Sequence, residues 1–221
     1  MSDVTTSSRT VDRRPQVDGA VDALRETLVA IRRMPLLVPL FLGTGFLVAL
    51  LGPLGGFVQS VGLMVGIYFV AQELSVPIES SRTGNSFGVR VLLAIVGGLL
   101  AGIATLAGLV LLVLPGLYVM VRLYLVYPSV IVGDDGPIGA LATSWDRTSG
   151  DLLTVAGVVL AVAVTTVASA LLALVGTAGG LEAAVRQPAS GNRLVVSLVA
   201  TAVGGPLNSA AMVVLYDGLE Y

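Results

Sequence analysis

Cysteine and histidine are both missing from this sequence of 221 residues. Their absence removes disulfides, thiolate nucleophiles, imidazole bases and the usual zinc ligands, so most hydrolase mechanisms lose a required part. Charge is scarce as well: 12% of residues are charged and 55% are hydrophobic, against a charged share of about 25% in soluble domains. A soluble fold of this length spreads its charges along the chain to keep its surface wet. Here they gather at the N-terminus and in a few short breaks between apolar runs, which makes lipid the expected solvent. The net charge of -2 leaves no basic footprint for a nucleic acid, so none is expected as a partner.

What is present is a set of long apolar runs with punctuation. Residues 1–16 are polar, with Ser, Thr, Asp and Arg interleaved, and read as a disordered cytoplasmic tail. Over 17–33, Val21, Leu24, Leu28 and Ile31 recur at helical spacing while Asp22, Arg25, Glu26 and Arg32 fall on other faces. That pattern predicts an amphipathic helix on the membrane surface, ended at Pro35.

Residues 34–221 read as a transmembrane domain. No charge occurs from Leu36 to Gln72, a run too long for one crossing, because about 20 residues span the ~30 Å core. Gly52-Pro53-Leu54-Gly55-Gly56 supplies the fold-back. The expected spans are 36–51, 57–72, 89–114 (ended by Pro115-Gly116), 117–132 (broken near Pro128), 152–175 and 194–216 (interrupted at Gly204-Gly205-Pro206). The fold class is therefore all-α, a polytopic bundle of about six transmembrane helices. Glu73 to Arg90 and Gly133 to Asp151 read as aqueous loops. Within the second, Pro137 to Trp145 is expected as a short interfacial helix that presents Ile138, Leu141, Ala142 and Trp145 on one face.

Few residues in the spans carry chemistry. Arg122 is the charge well inside one, where it costs at least ~2.5 kcal/mol unless paired or solvated. It serves either as a ligand for an anion or lipid phosphate, or as a structural clamp on backbone carbonyls or on a neighbour such as Gln59. Snorkelling to the outer interface past Tyr118 is a third option. The clamp is preferred. Gln59 and Asn208 join Arg122 as the candidate buried polar site. The stripes Ala161-Thr165-Ser169 and Ser197-Thr201-Gly205-Ser209 predict close helix packing, as does the GxxxG of Gly98 and Gly102, which does not by itself establish an oligomer. Asp134 and Asp135 lack the further oxygens that calcium requires and are expected to cap the helix at Pro137. No cofactor or metal is expected. The pair Arg32-Arg33 also fits a twin-arginine export signal, but no small-residue cleavage site follows it.

The stretch from Leu114 to Asp151 resembles the central motif of the membrane domain found beside some glycerophosphoryl diester phosphodiesterases, and of related six-helix membrane proteins of haloarchaea and bacteria. The matching positions are Pro115, Gly116, Arg122, Pro128, Ala140, Ser144, Trp145 and Gly150. The use of Arg for every basic residue is a bias of genome composition in keeping with a salt-adapted archaeon. In that family catalysis belongs to a separate soluble barrel that this sequence lacks, so the resemblance implies a membrane domain without the enzyme. The expected function is that of a non-enzymatic accessory or scaffold protein acting on membrane lipids or a membrane complex. A small-solute or lipid transporter is the alternative, and a membrane-embedded lipid enzyme ranks below both. The expected partners are membrane lipids and other membrane proteins.

Arginine placement predicts the topology. An even number of spans puts both termini on one side, with Arg9, Arg13, Arg14, Arg25, Arg32, Arg33, Arg82, Arg90 and Arg147, against Arg186 and Arg193 on the other. The arginine-rich side is expected to be cytoplasmic. Single cysteines at Ser81 and Gln187, probed with an impermeant thiol reagent on intact cells, should label at Gln187 and stay protected at Ser81. The reverse pattern would overturn the orientation.

Overall fold

The computed structural model describes residues 18–79, 85–178 and 190–219. The tail at 1–16 and the side chains of Arg82, Arg186 and Arg193 lie outside the described residues. Among those described, every regular element is helical: α1 (Ala20–Arg33), α2 (Leu37–Leu51), a 3-10 turn (Gly52–Leu54), α3 (Gly55–Glu73), α4 (Phe87–Leu111), α5 (Val113–Arg122), α6 (Val126–Ile131), α7 (Pro137–Gly150), α8 (Leu152–Ala178) and α9 (Ser190–Gly218). Five helical stretches are long and apolar enough to cross a membrane, with α5 and α6 together making one of them. The pair α1 and α2, bent by 91°, makes a sixth if the two count as one broken span. The chain is an all-α membrane bundle.

The bend at Pro35 sets α1 across the direction of α2, as an interfacial helix requires. Another face of it, of small residues, docks on the bundle. Ala23, Thr27 and Ala30 are buried against α8 and α9, whereas Val21 and Leu28 are 78% and 52% exposed. Small side chains let the helix axes approach closely, and the larger apolar ones turn to the surroundings.

Helix α9 is the centre of the bundle. One of its faces, Ala210, Met212, Val213 and Tyr216, packs into a core with Phe41, Met64, Ile67 and Val130. The opposite face, Ala211, Val214, Leu215 and Leu219, packs with Ala23, Leu125, Val155 and Val158. The stripe Ser197-Thr201-Gly205-Ser209 forms the seam expected of it. Ser197 Oγ donates to the Gly45 carbonyl at 3.0 Å, and the Phe41 ring lies where a Cβ on Gly205 would stand. Gly98, by contrast, lies under Tyr127, while nothing approaches Gly102, so the two do not act as a pair within the chain.

The prolines break helices at other places than expected. Helix α4 ends at Leu111, not Leu114, and Pro115-Gly116 belongs to the first turn of α5. The second break falls at residues 123–125, and Pro128 sits in the first turn of α6. In both cases the missing N–H of proline falls where a helix has no carbonyl for it to meet. Pro206 lies inside a continuous α9, which therefore is not interrupted at Gly204-Gly205-Pro206; neighbouring helices and serine side chains tolerate this in membrane spans. There Ser209 Oγ donates to the Gly205 carbonyl at 3.0 Å. Helix α7 extends to Gly150, beyond the expected end at Trp145.

The acidic pair ahead of α7 has a different role from the one expected. Gly136 is the N-cap, with no side-chain cap hydrogen bond. Asp134, in the left-handed region at φ 53, which Asp adopts more readily than most residues, is buried and pairs with the buried Arg90, Nε to Oδ1 at 3.4 Å. The same guanidinium donates to the carbonyls of Ile131 at 3.0 Å, Glu79 at 2.6 Å and Asn85 at 3.3 Å. Arg90 thus ties the start of α4 to the end of α6 and to the segment after α3. Replacing it strands three carbonyls and a buried carboxylate. Arg90→Met should therefore lose about 3 to 5 kcal/mol, the cost of breaking a buried pair by removing one partner. Asp134→Asn keeps an acceptor for Arg90 and the left-handed backbone, and should lose markedly less. Thermal melts of both variants in detergent check the order; equal losses would mean that the carboxylate charge, rather than the carbonyl cluster, holds the joint.

Candidate functional site

The three residues proposed as one buried polar site occupy two places. Arg122 closes α5, partly exposed. Its Nε and Nη2 donate to Tyr118 Oη at 2.9 and 2.7 Å, and its Nη1 donates to the Trp145 carbonyl at 3.2 Å. The guanidinium carbon stands 5.1 Å from the Tyr118 ring centre and 5.2 Å from that of Trp145, within cation–π range. The two rings meet edge to face at 5.8 Å. Arg122 thus bonds a backbone carbonyl of α7 and the Tyr118 phenol, and does not reach Gln59. Tyr118 lies one turn earlier on the same helix, where the sequence had already placed it beside Arg122.

The backbone break beside Arg122 explains the other matched positions. Helices α5 and α6 leave unpaired groups at residues 122–125, and Ser144 on α7 meets both kinds. Its Oγ donates to the Arg122 carbonyl at 2.7 Å and accepts from the Leu125 amide at 3.1 Å. Thr148 Oγ1 approaches the same carbonyl at 3.3 Å. Ala140, Ser144 and Thr148, spaced by one turn, are the buried face of α7. Ile138 and Trp145, 77% and 40% exposed, point outward, which repeats the arrangement of α1. Gly116 is held against Gly108 and Leu109, where α5 crosses α4. Gly150 ends α7. A third arginine, Arg147, stacks 3.9 Å above the Tyr216 ring and donates to the Tyr216 carbonyl at 2.6 Å, joining α7 to the end of α9.

Gln59 and Asn208 share a cavity that Arg122 does not line. Its volume is about 590 Å³, with Gly55, Gly56 and Gln59 of α3 on one side, Val159 to Val167 of α8 on another, and Ser197 to Asn208 of α9 as its floor. Gly204 and Gly205 let Thr166 of α8 and Phe41 of α2 press against α9 beside it. Tyr124 Oη donates to Asn208 Oδ1 at 2.6 Å, which leaves the amide NH₂ of Asn208 as a donor. Thr166 and Ser197 give their own protons to the Val162 and Gly45 carbonyls and keep acceptor lone pairs. No charged residue lines the cavity. Sequence reasoning named Ser197 and Thr201 only as packing residues and missed Tyr124, because residues on separate elements cannot be grouped by spacing.

No group of three or more His, Cys, Asp or Glu side chains suited to a metal ion occurs among the described residues. No family model matches the chain, and no curated protein or solved structure is similar to it.

The clamp makes a separable forecast for the α5–α7 joint. Ser144→Ala leaves the Leu125 amide and the Arg122 carbonyl short of a partner, and Arg122→Met does the same to Tyr118 and the Trp145 carbonyl. Each should cost about 1 to 3 kcal/mol, the penalty for stranded polar groups, read as a lower melting temperature in detergent. If Arg122→Met keeps full stability while a copurifying anionic lipid disappears, Arg122 is a ligand site and not a clamp.

Proposed function

We propose that this chain is a non-enzymatic accessory protein of the cell membrane that organises lipids at the cytoplasmic face, with both termini on that side. One observation carries the proposal. Two helices at the same end of the bundle, α1 and α7, dock through small side chains and turn Val21, Leu28, Ile138 and Trp145 outward. At 100° per residue, Arg25 and Arg32 stand next to Val21 and Leu28 on α1, and both are exposed. Asp22 and Glu26 lie further round. An apolar edge flanked by guanidinium groups fits acyl chains below and anionic headgroups beside it. The resemblance to a membrane domain that accompanies glycerophosphoryl diester phosphodiesterases supports the same reading, since the chemistry there resides in another domain. The second reading, a small-solute or lipid transporter, draws on the cavity that holds Gln59 and Asn208.

Native mass spectrometry of the chain released from nanodiscs of mixed phosphatidylglycerol and phosphatidylcholine tests the first reading. Anionic lipid should be retained preferentially. Arg25→Gln with Arg32→Gln should weaken that retention by about tenfold or more, at about 1 kcal/mol per basic residue near the surface. Equal retention of the two lipids by the parent chain, or solute flux through reconstituted vesicles, would favour the transporter.

A further inference from the structure

The cavity between α3, α8 and α9 has features that the surface helices do not use. Its rim carries Gly56, Ala163 and Val167, all exposed, so it opens sideways from the bundle, at a level where Leu160 and Val164 of α8 are also exposed and apolar. These exposed apolar side chains give an acyl chain a surface to lie along beside the opening. The cavity's volume lies within the range of about 300 to 1,000 Å³ that small-molecule sites occupy.

The lining defines the chemistry of an occupant. Gln59 presents an amide that makes no hydrogen bond among the described residues, with two donors and an acceptor. Asn208 adds donors, because its oxygen is engaged by Tyr124. Thr166 and Ser197 add acceptors on the facing helices. An occupant with both a hydroxyl and a carbonyl satisfies this set. A phosphate does not suit it, since no guanidinium is present to compensate a charge withdrawn from water. The three buried or clamped arginines, Arg90, Arg122 and Arg147, are committed elsewhere.

We propose that this cavity is a lateral binding site for an uncharged, hydroxyl- and carbonyl-bearing lipid of the diacylglycerol class, whose polar end meets Gln59 and Asn208 while its chains remain in the bilayer. The site is independent of the interfacial lipid contacts proposed above. A diacylglycerol with a diazirine in one chain, reconstituted with the full chain, should crosslink to residues of α3, α8 or α9. Unlabelled diacylglycerol should compete, and phosphatidic acid with the same chains should not. Gln59→Leu removes the amide and also an insertion cost, so the bundle should remain folded. It should weaken labelling by about fivefold, as expected for loss of one hydrogen bond. Ala163→Phe, which blocks the rim from an exposed position, should abolish labelling while thermal stability is kept. Labelling that phosphatidic acid competes away equally well would overturn the neutral-lipid assignment. Labelling unchanged in both variants, or no crosslink to these helices, would overturn the site itself.

Discussion

An arginine withdrawn from water needs an acceptor for nearly every donor it carries, and the joint that the buried Arg90 makes follows from that demand, with the partly exposed Arg122 and Arg147 tying further helix ends. Arg90 gathers carbonyls from the ends of α6 and of the segment after α3, together with the Asp134 carboxylate. Arg122 takes a carbonyl from α7 and a phenol from its own helix, and Arg147 takes a carbonyl at the end of α9. Each guanidinium spans elements that backbone hydrogen bonds cannot join, because a helix satisfies only itself. A buried backbone carbonyl left without a partner is costly, so Arg90 and the helix ends it meets hold one another in place. The broken α5–α6 span shows the same constraint in neutral form, with the Ser144 hydroxyl standing in for the missing turn.

Helix association elsewhere rests on shape. Apolar side chains gain little by leaving lipid for a protein neighbour, so contact follows from how closely backbones approach. The seams of α2 on α9 and of α4 on α5 are built on Gly45, Gly205, Gly108 and Gly116. The surface helices obey the same rule with alanine, serine and threonine. Their larger residues, Val21, Leu28, Ile138 and Trp145, are thereby left exposed.

The glycines of α9 bring other helices close without filling the space beside them. Gly204 lies against Thr166 of α8 and Gly205 against Phe41 of α2, and the cavity that Gln59 and Asn208 line lies next to these contacts.

Composition alone determined that the chain is an all-α membrane protein, since apolar runs long enough to cross a bilayer have few other solutions. Local spacing was enough for the bend at Pro35, the fold-back at Gly52-Pro53, the start of α7 at Pro137 and the packing stripe on α9. It was also enough to prefer a clamp for Arg122, because a lone cation in a span must find acceptors nearby. Spacing misplaced the breaks at Pro115, Pro128 and Pro206, since proline disrupts a helix only where its missing N–H would have had a partner, and that depends on where each helix begins. Tertiary structure alone decided which face of α1 docks, that Arg90 and Asp134 meet, and that Gln59 and Asn208 share a cavity without Arg122. Those relations join residues far apart in the chain, and no local period records which helices come to lie side by side.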